Sequence, residues 1–243
     1  MKTALRLVLC VVTATVTQAA SAAAQPKMIV LKGYQARTPM DNQPDEFRCQ
    51  ERLKAAFSGY DVQFFLMNVH GRKQVVSAIV NSDILYVNTH AVTPYKVDGV
   101  LMQALQVAPS ADNPDKSPGG NVVATARYIR DELKVRLKGP GPRLVILNGC
   151  EVTNKADGVA EPNRISGAMG IFDEPRTVGR AYVGWDYPIA GGPQDPNFVA
   201  MLERWTKPGP DGKYPALEQA INASDWGAIK RPVIVGDRGL RYR

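Results

Sequence analysis

Short apolar runs alternate with segments of helical period along most of the chain. Met28-Ile29-Val30-Leu31 is a continuous apolar run closed by Lys32-Gly33, as expected of a strand buried on both faces. Phe47, Leu53, Ala56 and Phe57 recur at helical spacing, and Ser58-Gly59 ends that helix. Residues 62–67 read as a second strand. Val75, Val76, Ile79 and Val80 mark a short helix closed by Asn81-Ser82, and Ile84-Leu85-Tyr86-Val87 is a third strand running directly into Asn88-Thr89-His90. A long polar connection follows, punctuated by Pro109, Pro114, Pro118, Gly119 and Gly120; its Pro-rich part between Val107 and Asn121 reads as a site for processing or substrate gating, or as a plain surface loop. Residues 122–137 carry a helical pattern stopped by Lys138-Gly139-Pro140-Gly141-Pro142. Leu144-Val145-Ile146-Leu147 is the fourth strand and ends at Asn148-Gly149-Cys150. A weaker strand at residues 181–185, helices at 198–205 and 216–221, and a last strand at 233–235 complete the pattern.

Strands alternating with helices predict an α/β protein, a three-layer sandwich around a mostly parallel sheet. Neither an internal repeat nor a break in composition divides residues 25–243, so they read as one domain. Ligands of such sheets bind beyond the carboxyl ends of the strands. That rule singles out His90, just past the third strand, and Cys150, just past the fourth.

Composition narrows the chemistry. The 243 residues are 44% hydrophobic and 22% charged, an ordinary globular mixture. Residues 1–24 have the layout of a secretory signal: Lys2 and Arg6, an apolar stretch at 7–16, then Ala19-Ala20-Ser21-Ala22-Ala23-Ala24. The apolar stretch is far short of the ~20 residues that span a bilayer. Its removal predicts an exported protein, periplasmic or secreted, with no membrane span. The formal charge of +7 drops by two with Lys2 and Arg6, and Cys10 leaves as well. Only Cys49, Cys150, His70 and His90 then remain, too few for a Cys/His metal framework, and no metal or other cofactor is expected. The basic residues are dispersed without a basic–aromatic array, which argues against nucleic acid as a partner. Gly-x-Ser-x-Gly, a phosphate-binding Gly-rich loop and His-Glu-x-x-His are all absent from the sequence.

A thiol near neutral pH is mostly protonated and needs a base beside it to act as a nucleophile. An imidazole supplies that base and later protonates a leaving amine. His90 and Cys150, at equivalent ends of two strands, form such a pair, with the backbone N–H groups of Ala91 and Cys150 as a candidate oxyanion hole.

Two segments, Asp83-Ile84-Leu85-Tyr86-Val87-Asn88-Thr89-His90 and Leu144-Val145-Ile146-Leu147-Asn148-Gly149-Cys150-Glu151, resemble the caspase–haemoglobinase fold of clan CD cysteine peptidases. The likeness is nearest in flavour to CHAT-type and clostripain- or gingipain-like domains. It continues through Ala181-Tyr182-Val183-Gly184-Trp185 and the two later helical segments, and so spans most of the chain after the signal. The resemblance implies a cysteine endopeptidase acting on a protein or peptide, with His90 as general acid/base and Cys150 as nucleophile. The sequence departs from the family at His90-Ala91, where His-Gly is usual. It departs again at Asn148, where metacaspase-like relatives carry an Asp, so Arg/Lys specificity is not implied.

A second reading stands beside it. In an exported chain Cys49 and Cys150 are the one available disulfide pair, and a bridge between them would make the chain a non-catalytic caspase-like binding domain. Asn148 and Trp185 are candidate substrate contacts, Trp185 equally a core aromatic. Asp157, Glu161, Asp173 and Glu174 read as a specificity pocket or as surface carboxylates. His70-Gly71 reads as a solvent-facing turn. Oligomeric state is not legible.

Overall fold

The computed structural model describes residues 24–32, 44–66, 71–109, 122–188 and 194–243. All of the predicted signal but its last residue, His70 and most of the Pro-rich connection lie outside these residues. Nine strands and six α-helices are formed among them, in the order β1 (Lys27–Lys32), α1 (Pro44–Ala56), β2 (Asp61–Leu66), α2 (Arg72–Asn81), β3 (Ile84–Asn88), β4 (Ala91–Val97), β5 (Val100–Gln106), β6 (Val123–Thr125), α3 (Ala126–Arg136), β7 (Leu144–Asn148), α4 (Ile165–Ala168), β8 (Ala181–Gly184), α5 (Gln194–Trp205), α6 (Leu217–Asn222) and β9 (Val233–Gly236). Among the described residues no helix is long and apolar enough to cross a membrane.

Six strands form one sheet in the order β2-β1-β3-β7-β8-β9, parallel except for β9, which runs antiparallel to β8. The continuous apolar runs of the sequence follow from burial on both faces. Odd positions of the central strands (Ile29, Leu31, Leu85, Val87, Val145, Leu147) pack into one core with α2, α3 and α4. Even positions (Met28, Val30, Ile84, Tyr86, Leu144, Ile146) pack into another with α1, α5 and α6. Alternation with a period of two therefore builds a helix layer on each side of the sheet. In α5, Phe198, Met201, Leu202 and Trp205 are spaced as one helical face and are all wholly buried. Phe198, Trp185 and Trp226 meet edge to face with ring centroids 5.3–5.7 Å apart, closing the core over the β8 end of the sheet.

Two expectations are corrected. The stretch after His90 is not all loop: β4 and β5 form an antiparallel hairpin, extended by β6 into a small three-stranded sheet. Its turn is Asp98-Gly99, with φ of 50° and 80°, the left-handed pair that a two-residue hairpin turn requires. The helix expected from residue 122 begins only at Ala126. Val123–Thr125 is strand β6, and the Thr125 side chain accepts from the Tyr128 N–H as the N-cap of α3.

Candidate active site

The β3–β7 register pairs Ile84 with Leu144 and continues to Asn88 with Asn148. His90 and Cys150 each stand two residues beyond that last pair, at the carboxyl ends of adjacent parallel strands. The ladder closes with the Thr89 N–H donating to the Asn148 carbonyl at 3.3 Å, after which the chains part. Both side chains are half-buried. Gly149 makes the close approach possible: a Cβ there would lie 2.8 Å from the Thr89 carbonyl oxygen and 3.4 Å from the Ala91 Cβ. Gly149→Ala therefore forces the His90 and Cys150 segments apart. We expect a cost of about 1–3 kcal/mol, read by thermal unfolding, together with slower alkylation of Cys150.

Each segment is then held by named contacts. On the His90 side, the His90 carbonyl accepts from Gln106 N–H at 2.9 Å, and Thr89 Oγ1 donates to the Gln106 carbonyl at 2.9 Å. Hydrogen-bonded pairs alternate along an antiparallel ladder, so with His90 bonded to β5 the Ala91 N–H is directed away from it. On the Cys150 side the chain turns sharply. Glu151 has φ of 54°, a strained value for a residue with a Cβ, and its N–H donates to the Tyr187 carbonyl at 3.1 Å. Its carboxylate accepts from Asn154 Nδ2 at 3.2 Å and is held on the following turn. Thr153 N–H reaches the Trp185 carbonyl at 3.0 Å.

Gln103, a wholly buried residue of β5, ties the two sides together. Its Nε2 donates to the Val152 carbonyl at 3.1 Å, and its Oε1 accepts from Ile165 N–H at 3.1 Å. Sequence reasoning missed Gln103 because the hairpin carrying it was read as loop. Its signal was a polar residue inside the apolar stretch Leu101-Met102-Gln103-Ala104-Leu105.

A row of polar side chains crosses the carboxyl ends of the strands. Lys32, Asn88 and Asn148 are register partners on β1, β3 and β7, and Trp185 follows at the end of β8. The first three converge on Asp195 in the first turn of α5. Lys32 Nζ lies 2.9 Å from one carboxylate oxygen, Asn88 Nδ2 donates to both at 2.9 and 2.8 Å, and Asn148 Nδ2 donates at 2.9 Å. The Tyr86 hydroxyl donates to the same carboxylate. Trp185 Nε1 donates to Asn148 Oδ1 at 2.9 Å. This row lies where the strand order reverses around β1 and β3, the usual ligand position of such sheets.

Burial alone would push the Asp195 carboxyl up. The Lys32 ammonium and the hydrogen bonds from Tyr86, Lys32 and Asn148 outweigh it and hold Asp195 below the usual carboxylate range. Burial, reinforced by the Asp195 charge, raises Tyr86 well above the usual phenol range and keeps it a donor. A depressed carboxyl contributes stability above its unfolded pKa, and that contribution is lost as the pH falls through its folded value. The difference in melting temperature between the natural chain and Asp195→Asn should thus be largest near neutrality and begin to close near pH ~4. Thermal unfolding from pH 7 to 3 checks it; a gap unchanged at pH 3 contradicts it.

The remaining candidates fall as follows. Trp185 is wholly buried and Asn148 is 5% exposed, so both sit beneath the site and hold its floor, without a face toward a substrate. Asp157 forms a buried ion pair with Arg164 at 2.5 Å, and Asp173 pairs with Lys155 at 2.8 Å and accepts from Gly236 N–H. Glu161 accepts from the Asp173 N–H. These three acids are tied into the structure, while Glu174 is exposed. No Cys49–Cys150 disulfide is formed: Cys49 lies in the apolar core between α1 and the sheet, lining a small cavity with Val30, Leu53, Phe64 and Tyr86. Among the described residues no group of three or more His, Cys, Asp or Glu could hold a metal ion.

Fold and site together define a mixed α/β protein in which a histidine, a cysteine and a buried carboxylate stand at the carboxyl ends of a mostly parallel six-stranded sheet. Compared with known proteins, the chain matches no family model and no curated protein sequence.

Proposed function

We propose that this chain is an exported cysteine endopeptidase of the caspase-like, clan CD type, hydrolysing peptide bonds through His90 and Cys150. The observation that carries this reading is the equal offset of the two residues beyond the paired Asn88 and Asn148 on adjacent parallel strands. The mostly parallel sheet with helices on both faces is of the kind the sequence resemblance implies.

The chemistry divides into two displacements. In the first, the Cys150 thiol gives its proton to His90, and Sγ bonds to the substrate carbonyl carbon. The carbonyl oxygen, now an oxyanion, accepts from the N–H groups of Ala91 and Cys150. The C–N bond breaks as the imidazolium returns its proton to the leaving amine, and a thioester remains on Cys150. In the second, His90 takes a proton from water, the hydroxide oxygen bonds to the acyl carbon, and the C–S bond breaks as the imidazolium returns its proton to Sγ. The products are a carboxylic acid and the thiol. No cofactor enters either step.

The test is digestion of a mixed peptide library by the natural chain and by Cys150→Ala, with new termini read by mass spectrometry. Cleavage by the natural chain alone supports the reading. Cleavage by neither, or equally by both, overturns it.

A further inference from the structure

We propose that Asp195 is the positioning residue of the dyad, a carboxylate clasp that fixes the ends of β3 and β7 against one another. The inference rests on the His90/Cys150 reading. Asn88 and Asn148 are register partners, each stands two residues before a dyad member, and both donate their Nδ2 to the Asp195 carboxylate. Beyond them the main-chain ladder ends in a single 3.3 Å bond, so the clasp joins the strands where backbone pairing gives out.

The amide orientations are fixed by chemistry. Indole N–H is only a donor, so Trp185 takes Asn148 Oδ1 and turns Nδ2 toward Asp195. Four side chains, Lys32, Tyr86, Asn88 and Asn148, then present donors to one point. An ionised carboxylate has the two oxygens and the lone pairs to receive all of them, whereas an amide offers one oxygen. Asp195 comes from α5, so the packing of that helix on the sheet sets where both dyad residues stand.

Alkylation of Cys150 by iodoacetamide, followed by mass spectrometry on the whole chain, reads this directly. Four proteins are compared at pH ~6.5, near the ordinary imidazole range: the natural chain, His90→Ala, Asp195→Asn and the double variant. The clasp predicts that His90→Ala slows alkylation about tenfold in the natural background but by less than about twofold in the Asp195→Asn background. Near-UV circular dichroism of the buried Trp cluster should stay native in each. A merely structural Asp195 would leave the His90 dependence intact in the folded variant; that result overturns the clasp and leaves the dyad standing. If His90→Ala has no effect in the natural chain, the dyad reading fails and the clasp with it. If Asp195→Asn does not fold, Asn88→Ala decides, because it keeps the contacts of Lys32 and Tyr86 with Asp195 and removes only the two bonds from Asn88, the residue of β3 nearest His90. Loss of His90 dependence in Asn88→Ala supports the clasp, and full dependence overturns it.

Discussion

Cys150→Ala is expected to reduce peptide hydrolysis to background, and His90→Ala to lower kcat by about 10²–10⁴-fold, while both variants keep the native melting temperature within about 1 °C. In the proposed mechanism the first change removes the atom that carries the acyl group, so no thioester would form. The second leaves the proposed nucleophile in place but withdraws the group proposed to take its proton and protonate the leaving amine. Both side chains are half-buried and stand past the ends of their strands, outside the two apolar cores, so neither holds the fold. The check is a progress curve on any peptide cleaved by the natural chain, with a thermal melt of each variant. A His90→Ala enzyme of undiminished kcat would remove the acid–base role.

The second large effect is on stability. Arg164→Met is expected to cost about 3–5 kcal/mol, a fall in melting temperature on the order of 10 °C. The Arg164 and Asp157 side chains are 7% and 3% exposed and meet at 2.5 Å. Arg164 also donates to the carbonyls of Asn154 and Val159 at 2.6 and 2.9 Å, and Asp157 accepts from Thr93 Oγ1 on β4. Removing the guanidinium leaves a buried carboxylate facing two orphaned carbonyls, and desolvation without compensation is what makes the loss large. Arg164→Met combined with Asp157→Leu should recover part of it, because the uncompensated charge is then gone. Thermal unfolding of the three proteins checks this. A single variant within about 1 kcal/mol of the natural chain would show that the pair is not a keystone. The pair fastens the segment after Cys150 to the hairpin after His90, through the bond from Thr93 to Asp157.

The central strands β1, β3, β7 and β8 of the large sheet were legible because each is a short apolar run buried on both faces and closed by a polar or glycine residue. The helices were legible from their spacing. The hairpin was not. Pro94 interrupts the run at 91–97, and the register shift between Val92 and Tyr95 breaks the alternation, so the pattern of two was hidden. Val97-Asp98-Gly99-Val100 nevertheless holds an Asp-Gly hairpin turn between apolar residues. Val123 and Ala124 fit the helix pattern as well as the strand they form, and pairing with β5 decided the matter.

The placement of His90 and Cys150 beyond the ends of β3 and β7 was legible because each closely follows a short apolar run, and the ends of such strands are where the fold class binds its ligands. Asp195 was not, since its partners Lys32, Asn88 and Asn148 lie far away in the chain and only the register aligns them. One trace of the row was present: three buried apolar strands in turn end on Lys32, Asn88 and Asn148, residues able to donate from the same face.

A thioester on Cys150 is the intermediate that the proposed chemistry requires. The whole chain is mixed with an activated peptide ester, quenched in acid and weighed intact by mass spectrometry. One added acyl group is expected, mapped to Cys150, released by hydroxylamine and absent from Cys150→Ala. An unmodified chain, an acyl group carried elsewhere, or a Cys49–Cys150 bridge in place of the thiol would contradict it.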